Sequence, residues 1–240
     1  LTAGDPRPPR RPAALRAVLF DMDGLLVDSE PLWFEVERAV MARLGGRWGE
    51  ADQRALIGGS LDRTVSWLLA KAPTSASRED VARWLVADMA ALILARGLPL
   101  QPGAGPLLAG LDAAGVPCAL VTASSRAIME AVLKVTGLSF SVTVCGEDVR
   151  RGKPDPEPYL LAAGGLGVPA AGCVVLEDSP TGIAAARAAG CPVIAVPSVP
   201  VPPGPGLLTV ESLEEVGIDL LEGIVTGNFD GPGRGVTEKF

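Results

Sequence analysis

Asp21 and Asp23, followed at once by Gly24, stand in the run Asp21-Met22-Asp23-Gly24-Leu25-Leu26-Val27-Asp28-Ser29-Glu30. The residues before them, Ala17-Val18-Leu19-Phe20, are all apolar and read as a fully buried strand. Two carboxylates two positions apart, just past the C-terminal end of a strand, repel each other and lose hydration, so a positive charge must compensate them. A hard divalent cation with oxygen ligands meets that need. Gly24 frees the backbone to turn sharply, and ligands of open α/β sheets gather at this edge.

Three more clusters have the same address. Thr122-Ala123-Ser124-Ser125 follows an apolar run ending at Val121, Lys153 lies in Gly152-Lys153-Pro154-Asp155-Pro156, and Glu177-Asp178-Ser179 follows a run ending at Leu176. On parallel, adjacent strands all four clusters would meet at one edge. Together they suit phosphoryl transfer. A carboxylate can attack phosphorus and form an acyl-phosphate, while Lys153 and Thr122 supply a charge and a donor for the transferring group. A cation held by Asp21, Asp23 and Asp178 would shield nucleophile from phosphate. Asp23 is placed to protonate the leaving oxygen and then deprotonate water. Each cluster alone has a plainer reading. The Asp pair can be a cap or a surface pair, and Thr-x-Ser-Ser can be an N-cap. A lysine before proline can be a solvated loop residue, and an acidic pair before Ser-Pro a helix start favoured by its dipole. Their joint order at strand ends favours one shared site.

The elements needed to position these clusters alternate after Pro102. Helices are expected over 105–114, 125–135, 156–165 and 181–189, and strands over 118–121, 141–144, 173–176 and 192–196. An edge strand is expected at 207–210 and a last short helix from Leu213. That alternation predicts an α/β fold with a Rossmann-like parallel sheet. Between the first strand and Pro102 the pattern is helical instead. Trp33, Val36, Val40 and Leu44 recur at helical spacing before Gly45-Gly46; a second helix opens after Gly58-Gly59-Ser60; a third follows Ser77 as N-cap. The expected organisation is a disordered segment at 1–14, a core at 15–30 and 100–226, an inserted all-helical domain at 31–99, and a flexible tail at 227–240.

Bulk properties narrow the classes. The chain has 240 residues, a formal charge of -7 and no histidine. An acidic chain lacks the basic excess that nucleic acid or anionic membrane requires. Without histidine, any metal must sit on oxygens or thiolates. Cys118, Cys145, Cys173 and Cys191 form no CxxC pair and read as small buried hydrophobes in a reducing compartment. The first dozen residues lack the apolar stretch of a signal peptide. The expectation is a cytoplasmic monomer acting on a small phosphorylated metabolite.

The ordered motifs Asp-x-Asp-Gly-x-Leu-x-Asp-Ser, Val-Thr-x-Ser, Gly-Lys-Pro-x-Pro and Glu-Asp-Ser-x-x-Gly resemble those of the haloacid dehalogenase superfamily. More narrowly they resemble its phosphoglucomutase-like phosphatases with a helical C1 cap, and the block 21–33 is similar to the bacterial sugar- and hexitol-phosphate phosphatases of that group. The resemblance implies an Mg²⁺-dependent phosphomonoesterase working through an aspartyl-phosphate. It makes Asp21 the nucleophile and Asp23 the acid/base. Thr122, Ala123, Ser124 and Lys153 would hold the phosphate; Asp21, the Asp23 carbonyl and Asp178 would hold magnesium, with Glu177 beside them. Gly59 and Ser60, with Arg63 nearby, would belong to the cap's specificity loop; Ser60 is equally an N-cap and Arg63 equally a solvated residue. Trp33 and Trp67 are candidates for the substrate pocket or for the cap's own core. Sugar phosphomutases of the group carry a histidine where Trp33 stands and a cap arginine near Leu61, which favours a hydrolase over a mutase. Two other classes stay open: a phospho-acceptor module of receiver type, and a scaffold that keeps only the fold.

Overall fold

The computed structural model describes residues 14–56, 60–197, 201, 204 and 206–227. The expectations for both termini and for Gly58-Gly59 thus lie outside the described residues. Six strands form one parallel sheet: β1 (Ala17–Phe20), β2 (Cys118–Val121), β3 (Val142–Val144), β4 (Cys173–Glu177), β5 (Val193–Ala195) and β6 (Leu207–Thr209), in the order β3-β2-β1-β4-β5-β6. β1 suits the centre because every one of its residues is apolar and buried, so both its faces can be covered. Its neighbours are β2, with Phe20 opposite Leu120, and β4, with Phe20 opposite Leu176.

Alternate residues of the strands feed two cores. Val18, Phe20, Leu120, Val174, Leu176 and Ile194 face one side. There they meet α5 (Ala104–Ala113), α6 (Arg126–Thr136) and α9 (Ile218–Thr226). Ala17, Leu19, Ala119, Val121, Val175 and Val193 face the other, against α7 (Glu157–Gly165) and α8 (Pro180–Ala188).

Four helices fill the stretch between β1 and β2: α1 (Glu30–Arg43), α2 (Glu50–Leu56), α3 (Leu61–Lys71) and α4 (Arg78–Arg96). Val36, Val40, Met41, Leu68, Leu85, Met89 and Ile93 of this block join the first core as one continuous cluster, with α4 laid along α6. The two chain crossings into and out of the block run side by side. Asp28 N–H donates to Pro99 O at 3.4 Å and Gln101 N–H to Leu26 O at 2.8 Å.

Two local readings are revised. α2 escapes the sequence pattern because it has seven residues, and Leu56 is its one large apolar side chain. The helix expected from Leu213 is a single 3₁₀ turn over 213–215, and α9 begins only at Ile218, since Val216 and Gly217 take extended backbone. Among the described residues no helix is long and apolar enough to cross a membrane. Cys145, Cys173 and Cys191 are buried, Cys118 is partly buried, and all four are free thiols, as their apolar settings suggested.

Candidate active site

The register delivers the four clusters to one edge. Because Phe20 pairs with both Leu120 and Leu176, the residues that follow in β1, β2 and β4 leave the sheet side by side. Asp21 stays anchored there, its N–H donating to Leu176 O at 3.1 Å. Lys153 reaches the same point from the loop before α7. Its buried Nζ donates to Asp21 Oδ1, to Glu177 Oε1 at 2.6 Å and to Val121 O at 3.0 Å.

Glu177 is fully buried and fully engaged. Oε1 accepts from Lys153 and from the Tyr159 hydroxyl at 2.7 Å, while Oε2 accepts from the N–H and the hydroxyl of Ser179 at 3.0 and 2.9 Å. Such a buried charge is tolerable only because it is both paired and hydrogen-bonded. Gly182 is required beneath it, since a Cβ there would lie 1.6 Å from Glu177 Oε1.

The protonation balance follows. Burial pushes the Asp21 carboxyl well above its ordinary range; the Lys153 charge opposes this, while Glu177 and Asp178 add to it. Burial also disfavours the charged forms of Glu177 and Lys153, but each is overruled by its partners, so Glu177 lies below and Lys153 above its usual value.

Asp23 sits among hydroxyls. Ser29 Oγ donates to Oδ1 at 2.7 Å, and Ser124 and Thr122 donate to Oδ2 at 2.7 and 3.3 Å. Thr122 Oγ1 also accepts the Ser124 N–H at 3.0 Å, which shapes the loop between β2 and α6, with Ala123 exposed at its tip. Ser125, last of that cluster, caps α6 by accepting from Ile128 N–H.

Asp21, Glu177 and Asp178 each offer a carboxylate oxygen within 4.8 Å of the others. Gly24, at φ 83°, permits this approach: a Cβ on it would lie 2.2 Å from Asp178 Oδ2. Three buried carboxylates thus lie together, and Lys153 pairs with two of them, Asp21 and Glu177. That donor set, all hard oxygen with an excess of negative charge, fits a small divalent cation.

The helical block places its candidates less decisively. Ser60 caps α3, its side chain accepting from Arg63 N–H. Arg63 is exposed and donates to Ala55 O at 2.8 Å, tying α3 to α2. Trp33 is half-buried against the main cluster. Trp67 donates to Asp52 Oδ1 at 3.1 Å beneath the Lys71 ammonium, and Lys71 is itself paired with Asp52. Trp67 and Lys71 therefore belong to the block's own packing.

Sequence reasoning passed over three participants. Tyr159, the chain's sole tyrosine, lies six residues beyond Lys153, a spacing that alone signals nothing. Ser29 is found at Asp23 rather than as a side-chain cap of α1. Gln101 donates to Gly24 O at 3.1 Å, tying the second crossing to the acidic loop.

Residues 15–190 match the family described as haloacid dehalogenase-like hydrolase. The chain belongs to this family. Like the family's phosphatases it has curated relatives: it is 38% identical over 191 residues to hexitol phosphatase A of Escherichia coli strain K12, covering 75% of this chain and 82% of that one. It is 35% identical over 187 residues to a probable pseudouridine-5'-phosphatase of Drosophila melanogaster, covering 75% and 80%. Among solved structures, CbbY from Rhodobacter sphaeroides in complex with phosphate superposes with a TM-score of 0.78 at 29% identity, covering 85% of this chain and 96% of that one. For this haloacid dehalogenase-like hydrolase, the Rossmann-like sheet expected from strand spacing is therefore both the observed fold and the family's fold.

Proposed function

We propose that this hydrolase is a magnesium-dependent phosphomonoesterase of small phosphorylated metabolites, with a sugar or sugar-alcohol phosphate as substrate. The observation that carries the reading is the meeting at one sheet edge of Asp21, Lys153, Asp178 and the hydroxyl-held Asp23. Relatives named as hexitol and pseudouridine-5' phosphatases support the substrate class.

Asp21 attacks phosphorus through a carboxylate oxygen; the bond to the ester oxygen breaks, and Asp23 gives that oxygen its proton. The product alcohol leaves an aspartyl-phosphate on Asp21. Asp23 then takes a proton from water, whose oxygen attacks phosphorus, releasing phosphate and restoring Asp21. Lys153 keeps Asp21 oriented and places positive charge beside the transferring group, with Glu177 and Tyr159 fixing Lys153 in turn. Thr122, Ala123 and Ser124 present donors to the phosphate oxygens. Magnesium held by Asp21, Asp178 and the Asp23 carbonyl would reduce the repulsion between carboxylate and phosphate. Residues 31–99 serve as the cap over this edge, on the core formed by 15–30 and 100–226, with Ser60 and Arg63 as its candidates for substrate contact. Trp33, packed against the main cluster, carries an indole N–H that does not titrate and so cannot shuttle a proton as a histidine would, which supports hydrolysis over mutase chemistry.

The test is phosphate release from p-nitrophenyl phosphate and from glucitol 6-phosphate, with and without magnesium, by the wild type and Asp21→Asn. We expect magnesium-dependent turnover and a loss of about 10³-fold or more in the variant. Equal rates would end the covalent mechanism.

A further inference from the structure

Gln101 stands on the second crossing, where the chain leaves the helical block, and both polar groups of its backbone are in use. Its N–H donates to Leu26 O at 2.8 Å, and its carbonyl accepts from Ala104 N–H at 3.1 Å, at the start of α5. Just beyond it, Gly103 lies so close to the 3₁₀ turn at 213–215 that a Cβ on it would be 2.3 Å from the Glu214 nitrogen. The base of the Gln101 side chain is therefore fixed against the core. From that base, Nε2 donates to Gly24 O at 3.1 Å.

Gly24 is the residue whose setting matters most to the acidic loop. Its N–H belongs to the same peptide group as the Asp23 carbonyl, and that N–H donates to Val27 O at 2.9 Å. Its own carbonyl lies in the next peptide group, the one that Gln101 holds. The two peptide planes meet at the Gly24 Cα, and only the φ and ψ of Gly24 relate them. A glycine, here at φ 83°, has no side chain to restrict either angle. The turn also borders a cleft of about 430 Å³ whose walls include Gly24, Leu25, Gln101 and Pro102, so it has room to shift. Val27 fixes the first plane and Gln101 the second, and with both fixed the angles are set. Asp178 leaves little tolerance, since it packs against Gly24 where a side chain would begin. The orientation of the Asp23 carbonyl and its spacing from Asp178 are thus decided at Gly24.

We propose that Gln101 is a positioning residue for the magnesium site, acting through the Gly24 carbonyl on the carbonyl of Asp23. The inference rests on the phosphomonoesterase reading, in which the Asp23 carbonyl is a ligand. Groups that hold a metal's ligands in place orient them, and losing one such group costs about 10- to 100-fold in metal affinity.

Gln101→Met keeps the length of the side chain and removes the donor. Gln101→Asn keeps the amide but falls one methylene short of Gly24. Magnesium binding is measured without substrate, by displacement of manganese(II) followed through its electron paramagnetic resonance signal, after circular dichroism shows each fold intact. Turnover of p-nitrophenyl phosphate is then followed against magnesium concentration. The expected result is a magnesium dissociation constant about tenfold higher or more in Gln101→Met, with a matching rise in the magnesium needed for half-maximal turnover. At saturating magnesium, kcat should stay within about threefold of the wild type. A role in stability alone would lower the unfolding temperature and leave the dissociation constant unchanged, and that result overturns the proposal. So does a loss of turnover that excess magnesium fails to restore. A wild type that binds no magnesium, or turns over no ester, removes the reading beneath it instead. If Gln101→Met does not fold, Gln101→Asn decides by the same measurements.

Discussion

Glu177 and Glu37 are both buried carboxyls, at 0% and 4% exposure, and they have opposite fates. Glu177, at the sheet edge, takes four hydrogen bonds and remains charged below its usual pKa. Glu37, in the helical block, has no counter-charge among the described residues, and burial, then the charge of Glu30, push it up to about 8. The contrast separates two kinds of preparation. The edge has its hydrogen bonds already in place, as the proposed nucleophile and phosphate-holding groups require. The block instead tolerates a buried carboxyl by letting it keep its proton, which removes the need for a counter-charge.

The contrast can be attacked from both sides. Glu177→Gln should do the most damage. It removes one of the two counter-charges of Lys153 and sets an amide N–H₂ against existing donors, so unfolding in urea should show a loss of about 3 kcal/mol, along with a fall in turnover. A loss below about 1 kcal/mol would mean that the edge is not built around this pair.

Glu37→Gln should act in the other direction. The folded state holds the Glu37 proton more tightly than the unfolded chain, with a pKa of about 8 against 4.5. Between those two values the folded state binds more protons, so stability is fully present below pH 4.5, declines as pH rises, and levels off above about 8. The glutamine variant lacks that decline and should be about 1–3 kcal/mol more stable than the wild type at pH 8.5, but not at pH 4.5. Glu30 is the charged group that raises Glu37, so Glu30→Gln should lower the Glu37 pKa and bring the decline to an end at lower pH. Chemical unfolding across this pH range is the measurement.

Tyr159→Phe should be the mildest. It removes one of the four hydrogen bonds to Glu177 and leaves Lys153 in place, for a cost of about 1 kcal/mol. A larger loss would show that the phenol, rather than the ammonium, fixes Glu177.

Much of this was legible in the residues. The apolar runs at 17–20, 118–121 and 173–176 are strands within one residue of where they were expected, because fully covered strands leave a continuous hydrophobic signature. Ser77, Ser125 and Ser179 cap the helices that follow them, since capping depends on near neighbours alone. Short α2 and the interrupted start of α9 were not legible, because packing against distant residues decides them and local pattern is weak there. Tyr159, Ser29 and Gln101 escaped for a related reason. Their partners are chosen by where β1, β4 and the second crossing end in space, and no spacing in the chain encodes that.

The chain alone determined the alternation of strands and helices after Pro102 and the positions of Asp21, Asp23, Lys153 and Asp178 at turns, because periodicity and turn chemistry act over a few residues. It also determined that no histidine could take part. Only the tertiary structure decided that Lys153 bridges Asp21 and Glu177, that Asp23 rests on three hydroxyls, and that Glu37 is buried beside Trp48 and Thr64. Hydrogen bonds and buried charges are settled by contacts between residues far apart in the chain, and those contacts exist only once the sheet register has set every loop in place.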